Sequence, residues 1–112
     1  MRNMSFMLTT RQFEDRSKTV TRRLGWDFLR AGDVVMGCEK CQGLRKGEKV
    51  RRLGAVRIVS VGCEPLDGVT QEDVAREGFP EMSPEEFVTM FCEHNHCDPS
   101  VMVNRIEFEY VI

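Results

Sequence analysis

No run in this 112-residue chain approaches the roughly 18 consecutive apolar residues of a membrane-spanning helix. Met1 to Leu8 carries one charge and too short an apolar stretch for a secretory leader, which predicts a cytoplasmic protein. The five cysteines are an odd number, so a complete intrachain disulfide framework is excluded, and free thiols suit a reducing compartment. There is no internal repeat, low-complexity tract or linker. Length and composition, 41% apolar and 30% charged, predict one domain over residues 1–112. A chain of this size buries roughly two-thirds of its unfolded surface, enough for a single core.

The second half is poor in basic residues. Residues 61–112 hold 2 Lys/Arg against 12 Asp/Glu, a balance of −10. Residues 1–60 hold 14 against 6, a balance of +8, and the net charge of −2 hides the contrast. Two readings follow: a basic face that attracts a polyanion such as nucleic acid, or two halves that neutralise each other inside a compact domain.

The apolar pattern predicts strands at Met4–Leu8, Asp33–Met36 and Leu53–Val61. A short helix is expected over Thr10–Arg16, and an extended segment over Ser17–Arg22, where Thr19, Val20 and Thr21 are β-branched. Trp26, Phe28 and Leu29 form a small apolar cluster stopped by Gly32, and Gly37–Lys49 reads as a loop. Two helices carry clear start signals. Thr70 caps one, with acids in its first turn and Gly78 at its stop. Ser83-Pro84-Glu85-Glu86 opens the other as a capping box with proline at the first helical position. The chain closes on a half-buried strand in which Ile106, Phe108, Tyr110 and Ile112 alternate with Arg105, Glu107, Glu109 and Val111. The order predicts a small α+β domain around a curved sheet or small barrel.

Three stretches, taken in order, resemble the ASCH domain, a PUA-like small β-barrel with flanking helices. They are Lys18-Thr19-Val20-Thr21-Arg22-Arg23 with Gly32-Asp33 behind it, Thr70 to Phe79 with the helix from Ser83, and Arg105-Ile106-Glu107-Phe108. The resemblance covers about Ser5 to Ile112 and implies a cleft that faces RNA or a nucleobase, with no cofactor. One branch of that superfamily hydrolyses the amide of N(4)-acetylcytidine with a lysine, a threonine three residues on and a distant glutamate. Lys18, Thr21 and Glu77 match those types in order. The resemblance thus implies Thr21 as nucleophile, Lys18 as its base and Glu77 as the acid for the leaving amine. Strand geometry puts residues i and i+3 on opposite faces, so Lys18 and Thr21 meet only if the chain bends near Thr19-Val20. The alternatives are that Thr21 is a plain strand residue and that Lys18 and Glu77 form a structural ion pair.

Other residues suit a ligand or RNA phosphates. Arg22 or Arg23 is placed to hold a phosphate or steady an oxyanion. Glu39, Lys40, Lys46, Lys49 and Arg51 belong to a glycine-punctuated, largely basic segment that reads either as a phosphate-contacting rim or as a solvated hairpin tip. Trp26 suits stacking on a base, or packing in the core. Cys38 and Cys41 form a Cys-x-x-Cys pair for which Cys92, His94, His96 and Cys97 offer zinc partners. The second group has poor spacing for a knuckle, so no metal site is assigned. The histidines at 94 and 96 lie together, away from the trio, and do not make a His–His nuclease pair. The expected partner is RNA or a nucleoside-type small molecule, with no membrane role.

Overall fold

A computed structural model describes residues 1–112. Five strands form one mixed sheet: β1 (Asn3–Ser5), β2 (Val20–Arg23), β3 (Val34–Cys38), β4 (Arg52–Pro65) and β5 (Met102–Tyr110). Their spatial order is β1-β3-β4-β5-β2, with β1 parallel to β3 and every other pair antiparallel. Three α-helices accompany the sheet: α1 (Thr10–Glu14), α2 (Gln71–Arg76) and α3 (Pro84–Asn95). Single 3-10 turns at Met7–Thr9 and Leu66–Gly68 lead into α1 and α2.

The helix signals in the sequence operate as local chemistry predicts. Thr70 Oγ1 accepts from the Asp73 amide, and Ser83 and Glu86 form a reciprocal capping box around Pro84. Helix α3 stops at His96, whose left-handed backbone donates its amide to the Cys92 carbonyl.

The long β4 runs past two apolar clusters. One gathers Met4, Phe6, Phe13, Val56, Ile58 and Phe108 among its members, and the other gathers Leu66, Val74, Phe87, Phe91 and Val103. The register of β4 against β5 slips between Ile58 and Ser60. Val59, 42% exposed, faces outward by plain alternation after buried Val56 and Ile58, and the slip beyond it brings Val61 back against the first cluster. Strand β5 serves both clusters from its two faces: Val103 the second, and Ile106 and Phe108 the first. Ile112 lies beyond β5 and is exposed. Gly37 allows the Phe13 ring to lie on the sheet, since a Cβ there would overlap that ring.

The expected closed barrel does not form. The edge strands β1 and β2 span three and four residues and do not pair with each other. A side chain crosses the seam instead: Arg23 Nη2 donates to the Ser5 carbonyl of β1 at 2.6 Å. The architecture is an open, mixed α+β sheet, and the seam opens onto the candidate site.

Candidate functional site

The seam leads to a cavity of about 170 Å³. Its polar lining includes Lys18, Thr21, Arg22, Arg23 and Glu77, and its apolar side is made chiefly by Phe6, Phe79, Phe87, Met90 and Phe91; His94 of α3, set apart from the trio in the sequence, lines the same cavity. Backbone placement explains why these residues meet. Lys18 precedes β2, where its amide donates to the Gln12 carbonyl and the Thr19 amide donates to the Arg76 carbonyl. Strand alternation therefore begins only at Val20. Lys18 and Thr21 can face one cavity although they are three residues apart. Glu77 caps the C-terminal end of α2, which the backbone bond from Thr19 holds against β2.

Lys18 Nζ donates to Glu77 Oε1 at 2.7 Å and to the Glu77 carbonyl at 2.9 Å, with both side chains almost wholly buried. Burial strips hydration from the ammonium and lowers the Lys18 pKa below 10.5, against the pull of the Glu77 carboxylate. Arg22 Nη1 donates to Glu77 Oε2 at 3.2 Å, and its Nη2 is shared between Asp73 Oδ2 at 2.6 Å and Glu64. Burial acts to lower the Arg22 pKa, but the hydrogen bond to Asp73 and the nearby Glu77 and Glu64 raise it overall. The Arg22 Nε is buried without a hydrogen-bond partner. Arg105 holds the far side of Asp73 through Nε at 2.7 Å and Nη2 at 3.1 Å. The Arg105 bonds, joined by those of Arg22, keep the Asp73 carboxyl well below its usual range despite partial burial.

Arg23 differs from its neighbours. Its Nε donates to Thr21 Oγ1 at 3.1 Å, its Nη2 spans the seam to Ser5, and its guanidinium lies 4.9 Å from the Phe6 ring centre. No carboxylate lies within ion-pair distance of it. Loss of hydration draws its pKa down to about 10, with Glu77 acting against the fall.

Lys18, Thr21 and Glu77 thus line one cavity, but they do not form a relay. No hydrogen bond joins Lys18 Nζ to Thr21 Oγ1; the ammonium is held by Glu77 and the hydroxyl oxygen by Arg23. Arg22, expected to face a phosphate, is instead committed to three carboxylates. Glu64, Asp73 and Arg105 were not marked as site residues by the sequence. Asp73 reads there only as a helix-start acid, and its partners are 51 and 32 residues away.

The remaining candidates lie elsewhere. Trp26 is half-buried against the first cluster, 5.4 Å from the Phe28 ring, and does not line the cavity. Its backbone is left-handed, φ 63°. Glu39, Lys40, Lys46, Lys49 and Arg51 lie on the β3–β4 connection, outside the cavity lining. The Glu39 carbonyl accepts from Ser5 Oγ, which ties that connection to β1. Arg51 pairs with Glu39 at 2.8 Å and Glu14 at 3.2 Å, and Lys40 lies 3.9 Å from Glu48. Lys46 and Lys49 are exposed and make no ion pair. Cys38 ends β3 and Cys41 lies in the connection beyond it, while Cys92 and Cys97 face each other at the end of α3 with sulfurs 3.8 Å apart. No three metal-ligating side chains converge, so the four-ligand set weighed from the sequence is not assembled.

No family model matches the sequence, and no curated protein does. Solved structures do match the fold. An ASCH domain from Lactobacillus crispatus superposes with a TM-score of 0.64 at 13% identity, over 97% of this chain and 78% of that one. A DUF984 protein from Enterococcus faecalis superposes with a TM-score of 0.63 at 18% identity, over 93% of this chain and 70% of that one. At these identities the likeness establishes a shared ASCH-type fold.

Proposed function

We propose that this chain is an ASCH-type recognition domain that binds RNA or a modified nucleobase, with the base seated in the cavity at the β1–β2 seam. The observation that carries the reading is the convergence of Lys18, Thr21, Arg22, Arg23 and Glu77 on one cavity whose other wall is aromatic. A flat heterocycle needs both parts: an apolar face to lie on and fixed donors and acceptors at its edge. At about 170 Å³ the cavity is smaller than the roughly 300–1,000 Å³ of sites for drug-sized ligands, which favours a single ring over a stretch of polymer. The fold likeness to an ASCH domain agrees with this reading. Exposed, unpaired Lys46 and Lys49 are available for phosphates of a longer RNA outside the cavity.

A second reading is favoured by one observation. Lys18 is buried and its affinity for a proton is lowered in the same cavity as Thr21 and Glu77. In that reading the chain removes the acyl group of N(4)-acetylcytidine or a related nucleoside. Lys18 passes a proton to Glu77 and, as the neutral amine, takes the hydroxyl proton while Thr21 attacks the acyl carbon; Glu77 returns its proton to the departing amine, and water then cleaves the Thr21 ester, releasing the acid and restoring the hydroxyl.

One experiment tests both. N(4)-acetylcytidine is incubated with the protein and with Lys18→Ala and Thr21→Ala, and its equilibrium binding is measured alongside. Product that disappears in both variants supports the hydrolase. Saturable binding without product supports the recognition domain. Neither product nor binding, with a short RNA also failing to bind, overturns both.

A further inference from the structure

The cations around the cavity are not equivalent. Lys18, Arg22, Arg105 and Arg76 are matched by Glu77, Asp73, Glu64 and Glu107 in one ion network, four charges against four. Arg23 lines the same cavity and has no carboxylate partner. Two of its nitrogens are fixed, Nε by Thr21 and Nη2 by the Ser5 carbonyl, and its plane lies near Phe6. Nη1 makes no hydrogen bond. The guanidinium is therefore held by neutral acceptors and an aromatic ring in one orientation. It carries the uncompensated positive charge of the cavity and keeps a free donor edge. Taking a charge out of water without a counterion is costly, and a ligand that brings the counterion recovers that cost.

We infer that Arg23 is the anchor for an anionic oxygen of the ligand, so that the cavity selects a base-sized ring carrying a carboxylate or a phosphate over its neutral counterpart. This deepens the nucleobase reading and rests on it for the ring. The oxygen recognition itself rests on Arg23 alone. A fixed fork also makes Arg23 different from a lysine: an ammonium supplies the charge but cannot hold Thr21, Ser5 and the ligand with three separately aimed donors.

The test measures binding of four probes to the protein and to Arg23→Gln and Arg23→Lys. Cytidine is neutral. Cytidine 5′-monophosphate adds a phosphate, orotate is a pyrimidine with a ring carboxylate, and benzoate is an aromatic carboxylate that is not a nucleobase. The Arg23 Nε–H resonance is followed in each titration, because exposed lysines on the β3–β4 connection also attract anions. The expected result is at least tenfold tighter binding of orotate or the monophosphate than of cytidine, with the Arg23 resonance shifting. That preference should collapse in Arg23→Gln and be only partly kept in Arg23→Lys. A role limited to fastening β1 to β2 would lower all affinities together and leave the preference intact, which overturns the inference. Benzoate moving the Arg23 resonance while no pyrimidine binds keeps the anchor and removes the nucleobase reading. No shift of that resonance with any anion overturns the anchor.

Discussion

Lys18 Nζ touches Glu77 twice, at the side-chain Oε1 and at the main-chain carbonyl, across 59 residues of sequence. The two bonds fasten the start of β2 to the end of α2 and place both residues on the cavity wall. A pair this deep brings a large desolvation cost with its Coulomb gain, so its removal is informative.

Replacing Lys18 by Met leaves the Glu77 carboxylate buried with Arg22 as its one remaining cation. The expected loss is about 3–5 kcal/mol in urea unfolding, the usual cost of breaking one side of a buried pair. Glu77→Gln alone leaves the ammonium uncompensated and costs a similar amount. The double variant removes both charges and is expected to lose less than the sum of the two, with a coupling of about 1–3 kcal/mol. Strict additivity would mean that the pair contributes nothing specific to stability.

Gly78 has φ 105°, and an added Cβ would come within 2.7 Å of Gln12 Cγ and 2.8 Å of Gln12 Cβ. Gln12 also donates through Nε2 to the Gly78 carbonyl at 3.3 Å. Gly78→Ala is thus strained by its own backbone and by a neighbour close to the main chain. A loss of about 1–3 kcal/mol is expected, read as a melting point several degrees lower. An unchanged melting point would show that α2 can end in another conformation.

What the sequence made legible follows the range of the chemistry involved. Thr70 and Ser83 announce their helices because a cap acts over three residues. Thr21 and Arg23 meet because a strand repeats every two residues, a contact open to sequence reading. Lys18 and Glu77 met as a pair that only the family resemblance had joined. The open seam was not legible, because closure depends on how short β1 and β2 are and on Arg23 filling the gap between them. The ion pairs of Arg22 were hidden for the same reason: its ties to Glu64, Asp73 and Glu77 span 42 to 55 residues and leave no local trace. Cavity, network and open seam are products of packing, and packing sets which charges remain free.

Tyr110 is the only tyrosine, so its ionisation can be followed by absorbance without interference. Its hydroxyl donates to the Lys18 carbonyl at 2.6 Å, and burial pushes its pKa up to about 12 from 10. The tyrosinate band is expected to rise with a midpoint near 12 in the folded protein. The unfolded chain loses this proton first, so the associated stability is complete below pH 10 and drains away between pH 10 and 12. Tyr110→Phe should show a shallower decline over that window. A midpoint at 10 would mean that the hydroxyl is free of Lys18 in solution.

Asp73 sets the acid limit of the site. Two arginines hold its carboxylate, so its folded pKa lies well below the ordinary 3.8. Above 3.8 both folded and unfolded chains carry the charge, and the full stabilisation is present. As pH falls below 3.8 the unfolded chain takes up the proton first, and the stabilisation is lost progressively down to the folded pKa. Asp73→Asn should cost about 1.5–3 kcal/mol at neutral pH, the range for a charge-assisted hydrogen bond, and should flatten the acid branch of the stability curve. The helix cap survives this change, because Thr70 accepts from the Asp73 amide and not from its side chain. Loss of stability in Asp73→Asn therefore reports on the arginine network and not on α2. If the acid branch stays as steep in the variant, the arginine network around Asp73 does not govern it.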